Sequence, residues 1–463
     1  MQEKQRGSFT GSLGFVLAAA GSAVGLGNIW RFPYLAAKDG GGVFLLVYII
    51  LALTFGTALL TTEISIGRKT RQSPLTAYGR LQPRWKFLGV IACIVPTIIL
   101  PYYCAIGGWV LRYFTAFITG KGSATAEDGN FTGFITQVGS PIIFMLIFLL
   151  ATYIIVYMGV EKGIEKCSKV MMPILLVMII CIGIFGLTIR HTDADGVSRT
   201  ALEGLKVYII PNFEGMTLRK LLSVGVDAMG QLFYSLSVAM GIMIAYGSYM
   251  KDDVSISKSV GQIEFFDSLV AFLAGMMIVP TVYAFMGTDG MSAGPSLMFV
   301  TLPKVFSAMG GVGILVGIVF FVMVLFAALT SSVSILEAMV SSLMDHKGFT
   351  RRRACNVCGI YALAAGVIVC LGYNVLYFEF QLPNGSTAQI LDIMDYASNN
   401  VLMPIVSILT CILIGWVLKP QVIIDEVEKT GTKMRKKVLY KAMIRFVAPI
   451  LLAILLLQSL GIL

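Results

Sequence analysis

Long apolar stretches recur along the whole chain, and they constrain its fold more than any other feature. Eleven of them are long enough to cross the ~30 Å hydrocarbon core of a bilayer as helices. Backbone groups cannot stay unpaired in hydrocarbon, so these stretches must be helical there. We therefore predict an all-α membrane protein with 11 transmembrane helices at about 13–37, 43–62, 87–117, 141–158, 170–187, 221–246, 265–285, 312–343, 354–371, 390–417 and 442–463.

The composition agrees with this class and excludes several others. Of the 463 residues, 57% are hydrophobic and 13% are charged, which excludes a disordered chain, a secreted disulfide scaffold and a nucleic-acid-binding protein. Most of the eight cysteines lie in or beside apolar runs, where they are expected to behave as small hydrophobic side chains. Cys355 and Cys358 form an isolated CxxC pair, which lacks the four ligands of a structural zinc site.

The basic residues predict the orientation in the membrane. Most lysines and arginines, including those within 68–86, 347–353 and 419–445, fall in segments on the same side as the N-terminus. Because positively charged loops stay in the cytoplasm, we predict a plasma (inner) membrane protein with a cytoplasmic N-terminus and an extracellular or periplasmic C-terminus. The same rule accounts for the net charge of +10 without a polyanionic partner.

The first and sixth predicted helices have small and polar residues near their centres. These are Gly21, Gly25, Gly27 and Asn28 in the first helix, and Gly230, Ser235, Ser237 and Gly241 in the sixth. Each glycine costs about 1 kcal/mol of helix propensity, so both helices are expected to be unwound there. Interrupted helices at matching positions of two halves predict a five-plus-five inverted repeat with a midplane binding site. Close helix packing is the alternative role of the glycines, but it does not account for Asn28 or the serines.

This repeat divides the chain into six segments. They are a cytoplasmic N-terminal segment (1–12), the first repeat with helices 1–5 (13–190), an extracellular loop (191–220), the second repeat with helices 6–10 (221–418), a cytoplasmic loop (419–441) and helix 11 (442–463). The apolar loop between helices 7 and 8 contains Gly294, Pro295 and Pro303, which prevent it from spanning. We expect it to fold back as a lid over an outer vestibule, and a surface hairpin is the alternative.

Polar side chains predicted to lie at membrane depth are mainly oxygen donors, which suit hard cations. They are Asn28, Tyr103, Gln231, Ser235, Ser237, Asp267, Thr330, Ser331 and Ser332. Asp267 is the costly member, because a carboxylate inside a bilayer is expensive and marks a functional site by default. The alternative is that Asp267 is protonated or caps helix 7 near its start.

Four motifs resemble those of the neurotransmitter:sodium symporter family. They are GSAVGLGNIWRFPY at 21–34, DGGG at 39–42, GQLFYSLSVAMG at 230–241 and ALTSSVSIL at 328–336. The resemblance covers essentially the whole chain and is to the bacterial amino-acid transporters, some of which also stop after eleven helices. It implies a sodium-coupled symporter, not an enzyme, that imports an L-amino acid by alternating access. Whether the missing twelfth helix is natural stays open.

The resemblance also implies two sodium sites and a substrate site between the unwound helices. Sodium site 1 would use Ala23, Asn28, Ser235, Asp267 and the substrate carboxylate, and sodium site 2 would use Gly21, Val24, Ala327, Thr330 and Ser331. The substrate would contact Ala23, Leu26, Gly27, Ile99, Tyr103, Phe233, Tyr234, Ser235, Ser237, Met240, Ser331 and Ile335. Helix-end amides and a sodium ion would balance its carboxylate, so no basic side chain is required.

Three positions bear on specificity and on ion use. Family members that carry monoamines have an aspartate where this chain has Gly25, so the substrate is expected to bring its own carboxylate. No charged side chain is available to pair with a charged substrate, which predicts a hydrophobic or aromatic L-amino acid. Ala271 replaces the residue beside which animal members bind chloride. The negative charge of Asp267 is expected to act instead, so we predict chloride-independent transport.

Residues that match the family's gates are Arg31 and Asp395 outside, Tyr103 and Phe233 as an aromatic lid, and Arg6 and Asp345 inside. A charge pair that forms in one state and opens in the other biases alternating access.

The alternative function is a sodium-dependent amino-acid sensor that uses the same fold without turnover. The expected partners are an L-amino acid, sodium ions and the lipid bilayer, while the preferred amino acid, the sodium stoichiometry, proton countertransport and the oligomeric state stay open.

Overall fold

Long helices make up most of the protein. The computed structural model describes residues 7–192, 196–287, 290, 291 and 294–462. Within these residues, nine helices are long and apolar enough to cross a membrane, which confirms a multi-pass membrane protein. The helices are numbered in chain order, and the numbers α1 and α6 are kept for two interrupted helices described below. The nine continuous helices are α2 (Gly42–Thr70), α3 (Pro83–Ile118), α4 (Gly139–Tyr157), α5 (Val160–Leu187), α7 (Ile256–Met286), α8 (Gly311–Lys347), α9 (Arg351–Leu371), α10 (Ile390–Val417) and α11 (Lys437–Ser459).

The two interrupted helices are the first and the sixth. Helix α1 consists of α1a (Ser12–Ala23) and α1b (Gly27–Lys38), which are bent by 54° relative to each other. Helix α6 consists of α6a (Leu218–Ser235) and α6b (Ile242–Ser248), and residues 236–241 between them are not helical. With α1 taken as one span, ten spans of the described residues meet the length and hydropathy requirements, and α6 is not among them.

The break in α6 is stabilised by contacts with neighbouring elements. Ser237 and Ala239 have φ angles of 53° and 65°, in the left-handed region that non-glycine residues rarely adopt. The Ala239 amide donates a hydrogen bond of 2.7 Å to Glu63 Oε1 on α2. Gly241 also has a positive φ, and a Cβ there would lie 2.7 Å from Pro74. The surroundings therefore hold a backbone conformation that would be strained on its own.

Several observed helices extend beyond the apolar stretches that predicted them. The second predicted helix ends at 62, whereas α2 continues to Thr70, because the buried Arg68 forms an ion pair of 2.7 Å with Glu426. The seventh predicted helix begins at 265, whereas α7 begins at Ile256. Asp267 therefore lies three turns inside α7, and its alternative role as a cap of the helix start is wrong.

Short elements cover the ends of the bundle. The helices are Pro74–Leu81, Asn130–Ile135, Ala201–Ile209, Leu297–Ala308 and Gln421–Glu428, and the antiparallel strand pairs are Arg190–Thr192 with Ser198–Thr200 and Phe380–Gln381 with Thr387–Ala388. The two longer predicted loops, 191–220 and 419–441, thus contain regular structure.

The loop between α7 and α8 folds back onto α3. Its helix Leu297–Ala308 is largely buried, and Tyr113 on α3 donates a hydrogen bond of 2.8 Å to the carbonyl of Phe299. The Phe299 ring is stacked on Phe131 at 5.0 Å. This packing agrees with the predicted lid and not with an exposed hairpin.

Candidate functional site

A small cavity lies between the breaks of α1 and α6, and α3 and α8 complete its walls. It is lined by Ser22, Ala23, Gly25, Leu26, Gly27, Asn28, Ile99, Tyr103, Tyr234, Ser235, Ser237, Met240, Ile242, Ser331 and Ile335. Of the residues predicted to contact a substrate, Phe233 alone does not line this cavity. Phe233 lines the larger outer cavity together with Arg31 and Tyr234. The structure therefore brings the other predicted residues together around one cavity.

One end of the cavity presents polar groups with unused hydrogen-bonding capacity. Within the described residues, the buried Tyr103 hydroxyl makes no hydrogen bond of good geometry, although the backbone of Leu26 and the side chain of Ser331 lie close to it. A Cβ atom at Gly25 would lie 3.0 Å from Ser331 Oγ and 3.3 Å from Tyr103 Oη. A side chain at position 25 would therefore fill this end, and glycine keeps it open.

A buried carboxylate cluster joins α1, α6 and α7 beside the cavity. Asn28 Nδ2 and Ser235 Oγ both donate to Asp267 Oδ1, at 2.8 Å and 2.7 Å. The Tyr48 hydroxyl on α2 donates to Asp267 Oδ2 at 3.2 Å. Asp267 is fully buried, and none of these partners carries a positive charge. Because an unpaired buried charge is costly, the cluster is suited to a cation.

A second group of oxygen atoms lies where α1a meets α8. Ser331 Oγ donates to the Ser22 carbonyl at 3.2 Å and to the Val24 carbonyl at 3.4 Å. Thr330 Oγ1 donates to the Ala327 carbonyl at 3.1 Å. A Cβ atom at Gly21 would lie 3.3 Å from Thr330 Cβ, so the two helices approach closely here. The five residues predicted for sodium site 2 thus lie together.

This region includes three residues that the predicted sites omit: Ser22, Tyr48 and the cavity-lining Ile242. Ser22 accepts a hydrogen bond of 3.0 Å from Ser237 Oγ through its carbonyl, which ties the two breaks together. Tyr48, which lies on α2, donates a hydrogen bond to the Asp267 carboxylate on α7. Ser22 lies within the first sequence motif and could have been included on that basis. Tyr48 lies in an apolar stretch, and nothing around it in the sequence indicates its partner.

The outer predicted gate is not closed by a direct ion pair in this conformation. Among the ion pairs of the described residues there is none between Arg31 and Asp395. Asp395 instead accepts a hydrogen bond of 2.6 Å from Asn399 Nδ2. Arg31 lines an outer cavity of about 440 Å³.

The inner side is held by contacts of the N-terminal segment. Arg6, predicted for the inner gate, lies outside the described residues. Its predicted partner Asp345 accepts a hydrogen bond of 2.6 Å from the Ser73 amide. Phe9 is buried and packs edge-on against Tyr246 at 5.6 Å, and the Thr10 amide donates to Glu165 Oε2 at 2.9 Å. The segment that precedes α1a therefore covers the end of the bundle at which α1a begins.

Comparison with known proteins gives a consistent result over the whole chain. The model of the sodium:neurotransmitter symporter family matches residues 6–126 and 129–462. The uncharacterized sodium-dependent transporter YhdH of Bacillus subtilis (strain 168) is 33% identical over 470 residues, which cover 100% of both chains. The uncharacterized sodium-dependent transporter MJ1319 of Methanocaldococcus jannaschii is 32% identical over 98% of this chain and 90% of its own length.

A solved structure is similar over the same length. The crystal structure of MhsT in complex with L-phenylalanine matches with a TM-score of 0.83 and 33% sequence identity. The match covers 98% of this chain and 100% of that chain. The family match likewise includes both interrupted helices and all the residues that line the cavity between them.

Proposed function

Because the chain belongs to the sodium:neurotransmitter symporter family, we propose that it imports a hydrophobic or aromatic L-amino acid together with sodium by alternating access. The observation that carries the proposal is the cavity between the breaks of α1 and α6, which is lined mainly by buried residues. Polar groups meet at Gly25, Tyr103 and Ser331, which form its polar end, and we place a hydrophobic substrate side chain against the apolar lining residues. The family is one of transporters, and we propose no enzymatic activity for the chain.

The polar end suits the main-chain groups of an amino acid. Gly27 is the first residue of α1b, and the N-terminus of a helix attracts a carboxylate through its free amides and its dipole. Tyr103 lines the same cavity, and its hydroxyl makes no hydrogen bond of good geometry in the described part of the chain, so it is available to donate to that carboxylate. Gly25 leaves the space for the carboxylate to enter. Carbonyls of Ala23 and Tyr234 and the hydroxyl of Ser237 would accept from the ammonium group.

The apolar end suits a neutral side chain. Its walls include Ile99, Met240, Ile242 and Ile335, and no residue that lines the cavity is charged. A charged substrate side chain would therefore lose its hydration without gaining a partner. Met240 has a flexible, polarizable side chain and can adapt to substrates of different size. The L-phenylalanine in the MhsT structure supports an aromatic ligand for a chain that is 33% identical.

We propose two sodium sites at the two oxygen clusters. Site 1 would use Asn28, Ser235, Asp267, the Ala23 carbonyl and the substrate carboxylate. Its support is that the buried Asp267 has only neutral partners among the described hydrogen bonds. Site 2 would use Thr330 and Ser331 with carbonyls from Gly21, Val24 and Ala327. Its support is the close approach of α1a and α8.

We propose chloride-independent transport on the basis of the negative charge of Asp267. Ala271 is buried in α7, one turn after Asp267, and its side chain offers nothing to an anion. The Asp267 carboxylate would supply the negative charge beside sodium permanently.

We also propose the finer topology on the basis of the basic residues and the two breaks: eleven helices in a five-plus-five inverted repeat, with a cytoplasmic N-terminus in the plasma membrane.

Uptake into proteoliposomes tests the proposed function. An inward sodium gradient should drive accumulation of labelled hydrophobic L-amino acids, whereas potassium in place of sodium should not. Sodium-dependent binding without accumulation or counterflow would contradict transport and favour a sensor.

A matched pair of variants in α3 sharpens this test. Tyr103→Phe should abolish most uptake by removing the free hydroxyl. Tyr102→Phe should retain more uptake, because Tyr102 is not among the residues that line the cavity and its hydroxyl instead contacts Asn399, at 3.2 Å, and the neighbouring Asp395. Equal uptake by the two variants would contradict the assignment of Tyr103 to the substrate site.

A further inference from the structure

A groove runs along the outer surface of the bundle between α4 and α9, away from the cavity described above. It has a volume of about 270 Å³ and is lined mostly by leucine and isoleucine side chains, including Leu146, Leu150, Ile360 and Leu363. These four side chains are exposed, although both helices are apolar enough to span a membrane. The groove therefore opens toward the hydrocarbon of the bilayer.

Gly359 creates the depth of the groove. A Cβ at this position would lie 3.1 Å from the ring of Tyr153 on α4, so any side chain there would enter the space between the helices. The other residues of α9 that line the groove are large or polar. A substitution at Gly359 would thus fill the groove without touching the cavity of the transport site.

The groove has a polar end. The Tyr153 hydroxyl donates a hydrogen bond of 2.6 Å to Asn356 Oδ1, which leaves the Nδ2 group of Asn356 without a partner in the described part of the chain. Arg352 precedes Asn356 by one turn on the same face of α9 and is close enough to influence Tyr153 electrostatically. Arg352 is exposed, and no ion pair of the described residues includes it.

The depth of this end matches the membrane interface. Tyr153 and Tyr157 stack at 5.8 Å near the end of α4, and tyrosines are enriched where hydrocarbon meets the headgroups. The first residues of α9 are Arg351, Arg352 and Arg353, which are expected at the same interface. An acyl chain in the groove would therefore place its headgroup beside Arg352 and Asn356.

We propose that the groove between α4 and α9 binds an acyl chain of an anionic phospholipid from the surrounding bilayer, whose phosphate contacts Arg352 and the Asn356 amide. The apolar walls match an acyl chain. The free amide can donate to a phosphate, and the unpaired positive charge of Arg352 favours a headgroup with a net negative charge over a zwitterionic one. Arg351 does not take part, because it is paired with Glu337.

Fluorescence quenching by brominated lipids tests the proposal. Tyr157→Trp, next to the groove but not lining it, serves as a reporter in the full-length protein, and the quenching of the parent protein is subtracted. The protein is reconstituted in phosphatidylcholine vesicles that contain either brominated phosphatidylglycerol or brominated phosphatidylcholine. We expect brominated phosphatidylglycerol to quench the reporter at a several-fold lower mole fraction. Equal quenching by the two lipids would overturn the proposal.

Variants distinguish the groove from general attraction to the bundle. Arg352→Gln should reduce the preference for phosphatidylglycerol about fivefold, the effect of one basic residue at an anionic surface. Arg353→Gln is the matched control and should reduce the preference less, because its guanidinium lies over the Phe349 ring at 4.2 Å and not one turn from Asn356 on the groove side. An unchanged preference in Arg352→Gln would overturn the proposal.

Gly359→Leu tests the apolar part of the groove and should abolish the preference. Retained preference in this variant would show that lipid binds elsewhere and would overturn the proposal. If Gly359→Leu does not fold, the two arginine variants still decide the result. Quenching that disappears as the protein-to-lipid ratio rises would show that a second copy of the chain covers the groove, which also contradicts a lipid site.

Discussion

The Tyr48 hydroxyl on α2 and the Asp267 carboxylate on α7 lie 3.2 Å apart in the interior of the bundle. Tyr48 is the third neutral donor to this carboxylate, after Asn28 and Ser235. Three neutral donors stabilise a charged carboxylate but do not neutralise it. The arrangement therefore keeps a negative charge available for a cation beside the proposed substrate site.

Asp267→Asn should weaken sodium coupling. Loss of a charged ligand is worth about 1.5–3 kcal/mol or more, so the half-saturating sodium concentration should rise at least about tenfold. The variant should also gain stimulation by chloride, because an anion can then replace the missing charge. Sodium titrations of uptake in chloride and in gluconate measure both effects.

Glu264→Gln is the control for Asp267→Asn. Glu264 lies one turn earlier on α7 and is also buried, but it accepts from Thr57 at 2.8 Å instead of joining the Asp267 cluster. The sodium and chloride dependence of uptake by Glu264→Gln should match that of the parent protein. If Asp267→Asn also keeps the parent's sodium and chloride dependence, the carboxylate has a structural role only.

Tyr48→Phe should produce a smaller effect of the same kind. Removal of one hydrogen bond from an uncharged donor to a charged carboxylate costs about 1.5 kcal/mol at the low end, which corresponds to about tenfold weaker sodium affinity. Tyr361→Phe is the matched control. Tyr361 lies on the surface of α9, and its hydroxyl donates a hydrogen bond of 2.9 Å to the Thr97 carbonyl on α3. Sodium-dependent binding of labelled amino acid measures both variants. Equal affinities in the two would place Tyr48 outside the sodium site.

Gly25→Ala should block the polar end of the cavity. Its Cβ would lie 3.0 Å from Ser331 Oγ and 3.3 Å from Tyr103 Oη, where the substrate carboxylate is expected. We expect at least about tenfold weaker amino-acid binding, equivalent to about 1.4 kcal/mol, in equilibrium binding assays. Gly133→Ala is the control, since a Cβ there meets no atom within 4 Å. Unchanged binding in Gly25→Ala would show that the carboxylate lies elsewhere.

Asp39→Asn should stabilise the protein at alkaline pH. Burial and the negative charge of Asp227 raise the pKa of Asp39 to about 6, although Lys38 lies nearby. The folded state therefore binds this proton more tightly than the unfolded chain does. The charged form destabilises the fold above pH 6, and this cost disappears as the pH falls through 6 toward the unfolded pKa.

Thermal unfolding of the purified protein measures this pH effect. Asp39→Asn should raise the unfolding temperature at pH 8, and the gain should shrink by pH 5. Asp128→Asn is the control, because Asp128 is exposed and ion-paired with Lys304, which holds its pKa below the usual range. Asp128→Asn should give little change at either pH. A gain from Asp39→Asn that does not depend on pH would contradict the proposed ionisation.

Hydropathy predicted which parts of the chain form long helices, but not where each helix ends. Buried ionic contacts extend α2 past the apolar stretch, since Arg68 pairs with Glu426 from a segment 358 residues away. The helix that carries Glu426, Gln421–Glu428, was predicted as part of a loop. Its hydrophobic residues are too few to indicate a spanning helix, and its position depends on the ends of other helices.

Motifs predicted most of the residues that line the cavity, because those residues lie in continuous segments at the two breaks. Tyr48 illustrates what could not be predicted. It is separated from Asp267 by 219 residues, and its ring stacks on Phe44 like an ordinary core aromatic. The direction of its hydroxyl is set by the packing of α2 against α7, which the sequence pattern of either helix alone does not contain.

The non-helical residues 236–241 of α6 also have a consequence for biogenesis. Exposed backbone groups there would be costly in lipid while the new chain leaves the ribosome and enters the membrane. The groups that bind this segment, Glu63 on α2 and the Ser22 carbonyl on α1, are synthesised earlier. The order of synthesis therefore makes both partners available before α6 enters the membrane.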